Sequence, residues 1–288
     1  MKNKPLEASS LRKAARLLQR NPRLLLSKIS SKIRSLKPLP PGPTAADLNG
    51  VAFDFDFSLD PAVVQMYRGC YQVDVVEAMK RFLRPGGVFI DAGANIGYLS
   101  AIAMGLVGKE GEVHAFEPVP ECADRLRRLS QSNPGYRLFV RPFALGDRSG
   151  KIRIDICAAG KIGWNTAVPN FMDESGRGQT IEVEIVRLDS YLEEHRLGQV
   201  SLIKIDCEGY EYPILKGLEG FFRKNPARPP ILSEIAPAAY PLLGLSLEEL
   251  RDYMSRYAYQ AYDLQDFRTP VDITKLPGLT DVVFLATT

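Results

Sequence analysis

The sequence predicts a doubly wound α/β fold with a mostly parallel, seven-stranded sheet, preceded by a helical, basic N-terminal extension. Short β-branched runs alternate with helical stretches, and a glycine turn follows one of the first runs. The chain has 288 residues, 45% of them hydrophobic, which is enough for one large core. In such sheets, ligands bind beyond the carboxyl ends of the strands.

The N-terminal extension is strongly basic. Residues 1–37 carry eleven Lys or Arg and one acid, whereas the rest of the chain carries 26 bases and 33 acids. Apolar residues recur at helical spacing in two stretches, Leu11, Ala15 and Leu18, then Leu25, Ile29, Ile33 and Leu36. A stiff proline-rich linker, 38–43, follows. We therefore divide the chain into an extension with linker, 1–44, and a domain, 45–288.

The role of the extension stays open among three alternatives. It can pack on its own domain or a partner subunit, it can contact a membrane surface or an anionic polymer through residues 1–37, or it can be a cleaved transit peptide. No apolar run approaches the roughly 18 to 20 residues of a membrane span. The four cysteines form no CxxC pair. We expect a cytoplasmic protein, peripheral at the membrane under the second alternative, with no nucleic-acid partner and an open oligomeric state.

The elements of the domain follow from the apolar periodicity. Alternation over 51–57 predicts a half-buried strand, and 73–83 a helix. The predicted sheet strands lie near 88–91, 112–117, 136–141, 200–205, 230–235, 259–264 and 281–286, and the helices near 96–107, 119–132, 210–224 and 246–257. A strand pair near 150–156 and 180–187 brackets an irregular loop that contains Trp164. Trp164 either stacks on a sugar face or anchors the loop by burial.

The stretch FIDAGANIGYLS, residues 89–100, predicts a ligand-binding turn between a strand and a helix. Gly93 and Gly97 permit a sharp turn and close approach of a ligand. Asp91 offers a carboxylate at the strand end, and the following helix presents free N–H groups. The next strand ends at Glu117, about 20 residues later, which suits hydrogen bonds to ribose hydroxyls. Together these features indicate a nucleoside-containing ligand.

The spacing of the glycines bears on which nucleoside is bound. Dinucleotide binding requires GxGxxG, whereas this turn has GxxxG between Gly93 and Gly97. Asp91 would repel a pyrophosphate but attract the cationic end of S-adenosylmethionine. Electrostatics therefore favours S-adenosylmethionine as the cofactor, with NAD as the alternative.

Five motifs in order resemble the FkbM-type methyltransferases: DAGANIG from Asp91, AFEP from Ala115, ALGD from Ala144, LDSYL from Leu188 and IKIDCEGYE from Ile203. The similarity covers roughly 71–286. The resemblance implies a class I, Rossmann-like methyltransferase that uses S-adenosylmethionine to O-methylate a hydroxyl of a sugar, glycan or secondary metabolite. It also implies cofactor-binding roles for the turn residues Asp91, Gly93, Asn95 and Gly97, for Glu117 at the ribose, and for 144–147, including Leu145, near the adenine.

An alcohol is a poor nucleophile, so a base or a metal should assist its deprotonation. Strand alternation places Lys204 and Asp206 on one face, with Asp206 at the carboxyl end of its strand. Glu208 and Glu234 follow strand ends by the same logic. We take these four as catalytic candidates, against the alternative that Lys204 and Asp206 form a buried architectural ion pair. We assign no metal site, and a divalent cation on the three acids stays open.

Two further functions stay open at this point. An NAD-dependent oxidoreductase or epimerase fits the fold class but lacks GxGxxG, and a non-catalytic cofactor-binding module does not require the acidic cluster. The acceptor of an enzyme would be a small molecule or glycan with a free hydroxyl. The sequence does not identify it.

Overall fold

The computed structural model of the chain describes residues 8–158, 163–173, 176–226 and 228–287, with side chains from Ala14 onward. The helices are α1 (Ala8–Arg20), α2 (Pro22–Arg34), α3 (Pro61–Tyr67), α4 (Val73–Phe82), α5 (Tyr98–Val107), α6 (Pro120–Ser132), α7 (Leu188–Glu194), α8 (Glu211–Lys216), α9 (Glu219–Lys224) and α10 (Leu247–Arg256). The strands are β1 (Thr44–Asp47), β2 (Ala52–Phe55), β3 (Val88–Ala92), β4 (Glu112–Phe116), β5 (Arg137–Arg141), β6 (Ala144–Gly146), β7 (Gly150–Cys157), β8 (Arg177–Arg187), β9 (Leu202–Ile205), β10 (Ile231–Ile235), β11 (Tyr259–Asp263), β12 (Asp266–Pro270) and β13 (Thr280–Ala286).

The central sheet has the order β12-β11-β13-β10-β9-β3-β4-β5 in the described part of the chain. Strands β10, β9, β3, β4 and β5 are parallel, whereas β13 lies antiparallel to both β10 and β11. The predicted doubly wound, mostly parallel fold is confirmed. The sheet has eight strands rather than the seven expected, because β12 pairs with β11 in a terminal hairpin. The residues of β12 are exposed or half-buried, so no apolar alternation marked them.

The register of the central strands determines which side chains meet. Phe89 and Leu202 lie in the apolar cluster on one face of the sheet, and Ile90 and Ile203 in the cluster on the other. Both faces are therefore covered, as parallel sheets require. Asp91 is the register partner of Lys204 across the β3–β9 pair. Because side chains alternate along a strand, these two polar groups emerge on the same face.

Three predicted elements differ in detail from the structure. The strand expected over 51–57 is the shorter β2, which forms a hairpin with β1 outside the central sheet. Strand β8 begins at Arg177, earlier than expected, and pairs with β7 and β6 in a separate sheet. The helix expected over 210–224 is interrupted at Gly217, where a Cβ atom would lie 2.1 Å from the carbonyl oxygen of Gly146. This close backbone contact separates α8 from α9.

The second helix of the extension packs on the domain. Leu24 of α2 is 1% exposed, and the Asn21 side chain caps the helix by accepting from the Leu24 N–H at 3.1 Å. Ser27 donates to Glu77 at 2.6 Å, and Lys28 pairs with Asp74 at 2.9 Å, both on α4. The inner side of α2 thus packs on its own domain, which is the first of the three alternatives given for the extension. Among the described residues, no helix is long and apolar enough to cross a bilayer.

Leu24→Ala is expected to loosen α2 from the domain, because it removes a buried side chain whose loss typically costs about 2–5 kcal/mol. The measurement is the free energy of opening of α2, from amide hydrogen exchange. Leu26→Ala is the matched control, since Leu26 is 66% exposed on the same helix and its truncation should change that free energy by less than about 0.5 kcal/mol. Equal effects of the two substitutions would contradict the packing described.

Candidate functional site

The turn between β3 and α5 is built on two glycines that approach other parts of the chain. Gly93 and Gly97 have φ angles of +77° and +88°. A Cβ atom on Gly93 would lie 2.0 Å from the carbonyl oxygen of Asp206, and one on Gly97 would lie 2.7 Å from Leu126. The close approach required at Gly93 is therefore between the ends of β3 and β9. It brings the predicted cofactor turn against the predicted catalytic loop.

Asp91 lies beneath this turn and is fully buried. One carboxylate oxygen accepts from the Ser100 hydroxyl of α5 at 2.6 Å, and the other lies 3.3 Å from Lys204 Nζ. Lys204 Nζ also donates to the carbonyl oxygen of Gly93 at 2.9 Å. In this structure Asp91 acts on the turn through Ser100 and Lys204. Its predicted direct contact with a cofactor stays a prediction.

Glu117 and Asn95 form the second part of the turn. The Glu117 carboxylate accepts from the backbone N–H of Asn95 at 2.8 Å and of Val119 at 2.9 Å. Burial raises the pKa of Glu117 to about 7, although both N–H donors oppose that shift. Asn95 adopts a left-handed conformation, with φ of +52°, which asparagine tolerates better than most residues. Each Glu117 oxygen keeps a lone pair for a further donor, such as a ribose hydroxyl.

Two adjoining cavities open above the turn. The larger, of about 320 Å³, is lined by both predicted groups, including Gly93, Asn95, Lys204, Asp206, Glu208 and Glu234. The smaller, of about 80 Å³, is lined by Glu117 and by Leu145 and Ala144 of β6. Gly93, Asn95, Asp206 and Glu208 line both. The structure thus brings Gly93, Asn95, Glu117, Leu145 and the predicted catalytic residues to two cavities with shared lining residues, whereas Asp91 and Gly97 are buried and line neither cavity.

The acidic cluster of Asp206, Glu208 and Glu234 lies in the larger cavity. One carboxylate oxygen from each residue lies within 4.8 Å of the other two. Burial, with the charges of Asp206 and Glu211, raises the pKa of Glu208 to about 8. Burial, with the charges of Asp206 and Glu208, raises the pKa of Glu234 to about 9. These two groups are stronger bases than ordinary carboxylates, and the cluster favours a cationic ligand or a shared hard cation.

Lys204 carries the compensating positive charge. Its Nζ lies 3.5 Å from Asp206 and 3.3 Å from Asp91. Burial alone would lower the pKa of Lys204, but the two carboxylates raise it above its ordinary value. Lys204 therefore stays protonated, and the predicted ion pair with Asp206 is present. It lines the cavity as well, so the architectural and catalytic interpretations of Lys204 are compatible.

The loop after β9 is fixed by its own sequence. Glu208 and Gly209 both have positive φ angles, and a Cβ atom on Gly209 would lie 2.3 Å from Ala239 Cβ. The fully buried Glu211 accepts from the N–H groups of Cys207 at 3.2 Å and Gly209 at 2.8 Å. Thr166 donates to the Glu208 carbonyl oxygen at 2.7 Å from the irregular loop. Glu211 is thus an internal brace for the turn that presents Asp206 and Glu208.

Several site residues were not found from the sequence. Gln72, in a left-handed conformation, donates to Asp206 at 3.4 Å, and Tyr71 lines the larger cavity beside it. Burial, with the charge of Asp206, raises the pKa of Asp281 to about 7. Asp281 is on β13 and lies beside the carboxyl end of β10 because these two strands pair antiparallel. The position of Asp281 in the sequence does not reveal this pairing. Ser100 could have been found, since it lies on the first turn of the helix after the glycines.

The irregular loop contributes Trp164, which is 55% exposed and lines the larger cavity. Of the two interpretations of Trp164, burial as a loop anchor does not describe it. The anchor is the neighbouring Thr166, which is buried and bridges to Asp155. Residues 159–162 and 174–175 of this loop lie outside the described residues. An exposed indole beside a polar cavity is suited to stacking on a ligand.

These features define a class of protein. A doubly wound sheet, a glycine turn after β3, an acid at the end of β4 and a polar cavity at the carboxyl ends of β9 and β10 are typical of α/β proteins that bind a nucleoside-containing ligand.

The family follows from comparison with known proteins. The family model described as Methyltransferase FkbM domain matches residues 91–261. The chain therefore belongs to the FkbM methyltransferase domain family, and the predicted resemblance is confirmed. It is an S-adenosylmethionine-dependent methyltransferase by family, which leaves the oxidoreductase alternative without support.

Known relatives are moderately similar. The hexuronic acid methyltransferase AglP of Haloferax volcanii is 26% identical over 178 residues, covering 61% of this chain and 68% of that protein. The 31-O-demethyl-FK506 methyltransferase FkbM of Streptomyces tacrolimicus is 29% identical over 222 residues, covering 66% and 78% respectively. The crystal structure of methyltransferase FkbM from Methylobacillus flagellatus matches this chain with a TM-score of 0.41 and a sequence identity of 14%. The match covers 91% of this chain and 60% of that one.

Gly93→Ala is expected to lower the free energy of unfolding by more than about 3 kcal/mol, because the new methyl group would collide with the Asp206 carbonyl. Gly86→Ala is the matched control, since Gly86 has a similar φ of +80° with nothing within 4 Å of a Cβ atom. Gly86→Ala should lower the free energy of unfolding by only about 1–2 kcal/mol. Urea unfolding of both variants checks this, and equal losses would show that conformation alone, without close approach, requires glycine at 93.

The ligand-free chain is expected to lose stability as the pH rises from about 5 to 9. The ordinary pKa of Glu234 is 4.5 and its folded value is about 9, so the folded state holds a proton that the unfolded state has released. Glu234→Gln should flatten this decline by up to about 1.4 kcal/mol per pH unit. Urea unfolding between these pH values measures the slope. Glu110→Gln, at an exposed position, should retain it; an unchanged slope in Glu234→Gln would contradict the raised pKa.

Proposed function

We propose that the chain transfers the methyl group of S-adenosylmethionine to a hydroxyl oxygen of a sugar, glycan or secondary metabolite. One observation carries the proposal: three carboxylates converge within 4.8 Å in the cavity beside the glycine turn. Two of them have a pKa raised to about 8 and about 9, respectively. A positioned base of this strength is what an alcohol acceptor requires and an amine or thiolate acceptor needs less.

The donor is proposed to lie across both cavities. Glu117 would accept the ribose hydroxyls, and Leu145 would contact the adenine in the smaller cavity. The methionine end would lie over Gly93 and Asn95, with the buried Asp91 and Gly97 supporting the turn. The sulfonium charge would then lie beside the acidic cluster, where the excess of carboxylates over Lys204 attracts a cation.

The acceptor is proposed to enter the larger cavity. Trp164 and Leu279 are exposed apolar side chains on its lining, suited to the face of a sugar ring or a polyketide-like chain. The acidic cluster disfavours a carboxylate acceptor, because like charges would meet in a partly buried space. A neutral hydroxyl is therefore favoured over an ester-forming carboxyl. The relative named for 31-O-demethyl-FK506 is consistent with a hydroxyl acceptor, whereas a hexuronic acid carries both hydroxyls and a carboxylate, so the name of that relative does not separate the two products.

The reaction balances without a redox partner. The acceptor oxygen attacks the methyl carbon in line with the sulfur, the C–S bond breaks, and neutral S-adenosylhomocysteine leaves. The hydroxyl proton passes to a carboxylate of Asp206, Glu208 or Glu234, while Lys204 holds Asp206 in position at 3.5 Å. Most of the rate enhancement would come from alignment of the three reacting atoms. The same carboxylates could instead hold a divalent cation that lowers the pKa of the hydroxyl.

Turnover is expected to fall by at least about 100-fold when the proton acceptor is neutralised, because general bases typically contribute 10²–10⁴-fold. Asp206→Asn, Glu208→Gln and Glu234→Gln are compared with the exposed control Glu110→Gln. A panel of uronic-acid glycans and hydroxylated polyketides is incubated with methyl-labelled S-adenosylmethionine. In the parent at saturating S-adenosylmethionine, kcat/KM for the acceptor should rise with pH through a midpoint below about 8 to 9, since the base must be deprotonated and the sulfonium lowers its pKa.

The outcomes separate the alternatives. An O-methyl ether in the product, identified by NMR, supports the proposal, whereas an N-methyl, C-methyl or methyl ester product contradicts hydroxyl transfer. Turnover within tenfold of the parent in all three variants would place the base elsewhere. Loss of turnover with a chelator, restored by Mg²⁺, would replace the base by a metal. Calorimetry with S-adenosylhomocysteine and with NAD tests the donor site directly, and binding of NAD alone would overturn it.

A further inference from the structure

The basic extension has an inner face that contacts the domain and an outer face that is exposed. Its inner face on α2 packs on the domain through Leu24, Ser27 and Lys28. Its outer face, defined here as Leu26, Ile29, Ile33 and Leu36, is exposed: Ile33 is 67% exposed and Leu36 81%. These four recur at helical spacing and form one stripe. Neither the domain nor the rest of the described chain covers it.

Cations border this apolar stripe. Arg23 and Lys32 are exposed and, by the 3.6-residue period, fall on its two sides. Residues 1–37 contain eleven Lys or Arg with a single acid. An apolar centre with cationic flanks is the pattern of a helix that lies in the interface of an anionic bilayer.

We infer that the outer face docks on an anionic lipid surface, with Leu26, Ile29, Ile33 and Leu36 among the acyl chains and the cations at the headgroups. A second copy of this chain fits less well, because a two-fold contact would bring the cations that border the stripe on one copy towards those on the other. A nucleic acid would engage the cations but leave the four apolar side chains in water. Of these three partners, the bilayer satisfies both the charge and the apolar surface.

The inner contacts fix how the extension would dock. The Arg34 Nη2 group donates to the Gly69 carbonyl at 2.8 Å, Cys70 donates to the Ser31 carbonyl at 3.0 Å, and Lys37 lies over the Tyr67 ring at 4.0 Å. Arg20 and Asp266 form a further ion pair, at 2.6 Å, at the end of α1. Because these contacts hold the inner face, α2 needs no refolding to present its outer face. The outer face is already ordered in the free protein, so docking on a membrane would cost little conformational entropy.

The test is flotation of the full chain with vesicles of phosphatidylcholine alone and of phosphatidylcholine with phosphatidylserine. The parent should float with the anionic vesicles only, and less so at high salt. Ile29→Gln/Ile33→Gln should weaken binding by more than about tenfold. Arg23→Gln/Lys32→Gln should weaken it by about fivefold for each cation removed. The matched controls are Leu242→Gln, an exposed apolar residue elsewhere, and Lys109→Gln/Arg128→Gln, two exposed cations of the domain.

Each remaining outcome overturns the inference. Failure of the parent to float with anionic vesicles removes it, provided that amide hydrogen exchange shows α2 folded. Binding that survives both outer-face double variants places the lipid contact elsewhere. A parent dimer that becomes monomeric in Ile29→Gln/Ile33→Gln, without vesicle binding, makes the face a self-interface. Binding of an oligonucleotide unaffected by that variant, without flotation, makes it a polyanion site. The assay requires no methyl donor or acceptor, so its result is independent of the proposed reaction.

Discussion

The buried ammonium group of Lys204 is the interaction on which the rest of the site depends. It connects Asp91 of β3, the carbonyl of Gly93 in the turn and Asp206 at the end of β9. Without it, two buried or half-buried carboxylates would face each other and the turn carbonyl would lose its donor. A buried charge that loses its partner typically costs about 3–5 kcal/mol. The cation therefore fixes the position of the glycine turn after β3 relative to the loop after β9.

One cation does not balance the acids around it. Asp206, Glu208, Glu234 and Asp281 adjoin the cavity region, and the pKa values of the last three are raised by burial and by mutual repulsion. In the ligand-free state this repulsion is relieved by protonation. A sulfonium would relieve it by its own charge, which links donor binding to release of protons. The same electrostatics disfavours a pyrophosphate, in agreement with the methyltransferase family to which the chain belongs.

The sequence predicted the location of the polar residues around the cavity better than the contacts that support them. Lys204 and Asp206 could be placed on one face because side chains alternate along a strand, whereas the contact of Lys204 with Asp91 depends on the register of β3 and β9. The brace formed by Glu211 could not be found, because it depends on positive φ angles at Glu208 and Gly209. Nor could the break at Gly217, which results from contact with the distant Gly146. Such features depend on contacts between residues that are distant in the sequence, and the local periodicity of apolar residues does not reveal these contacts.

The origin of the cavity walls indicates where specificity arises. The segment matched by the family, 91–261, supplies the turn, Glu117 and the acidic cluster. Met66, Tyr71, Gln72 and Leu279, which line the larger cavity, lie outside it. Gly69 and Cys70 lie in the chain between Met66 and Tyr71. They form hydrogen bonds with Arg34 and Ser31 of the extension, respectively. The described part of the extension therefore contacts one wall of the cavity without lining it, so the proposed membrane face and the proposed acceptor side share a segment of chain.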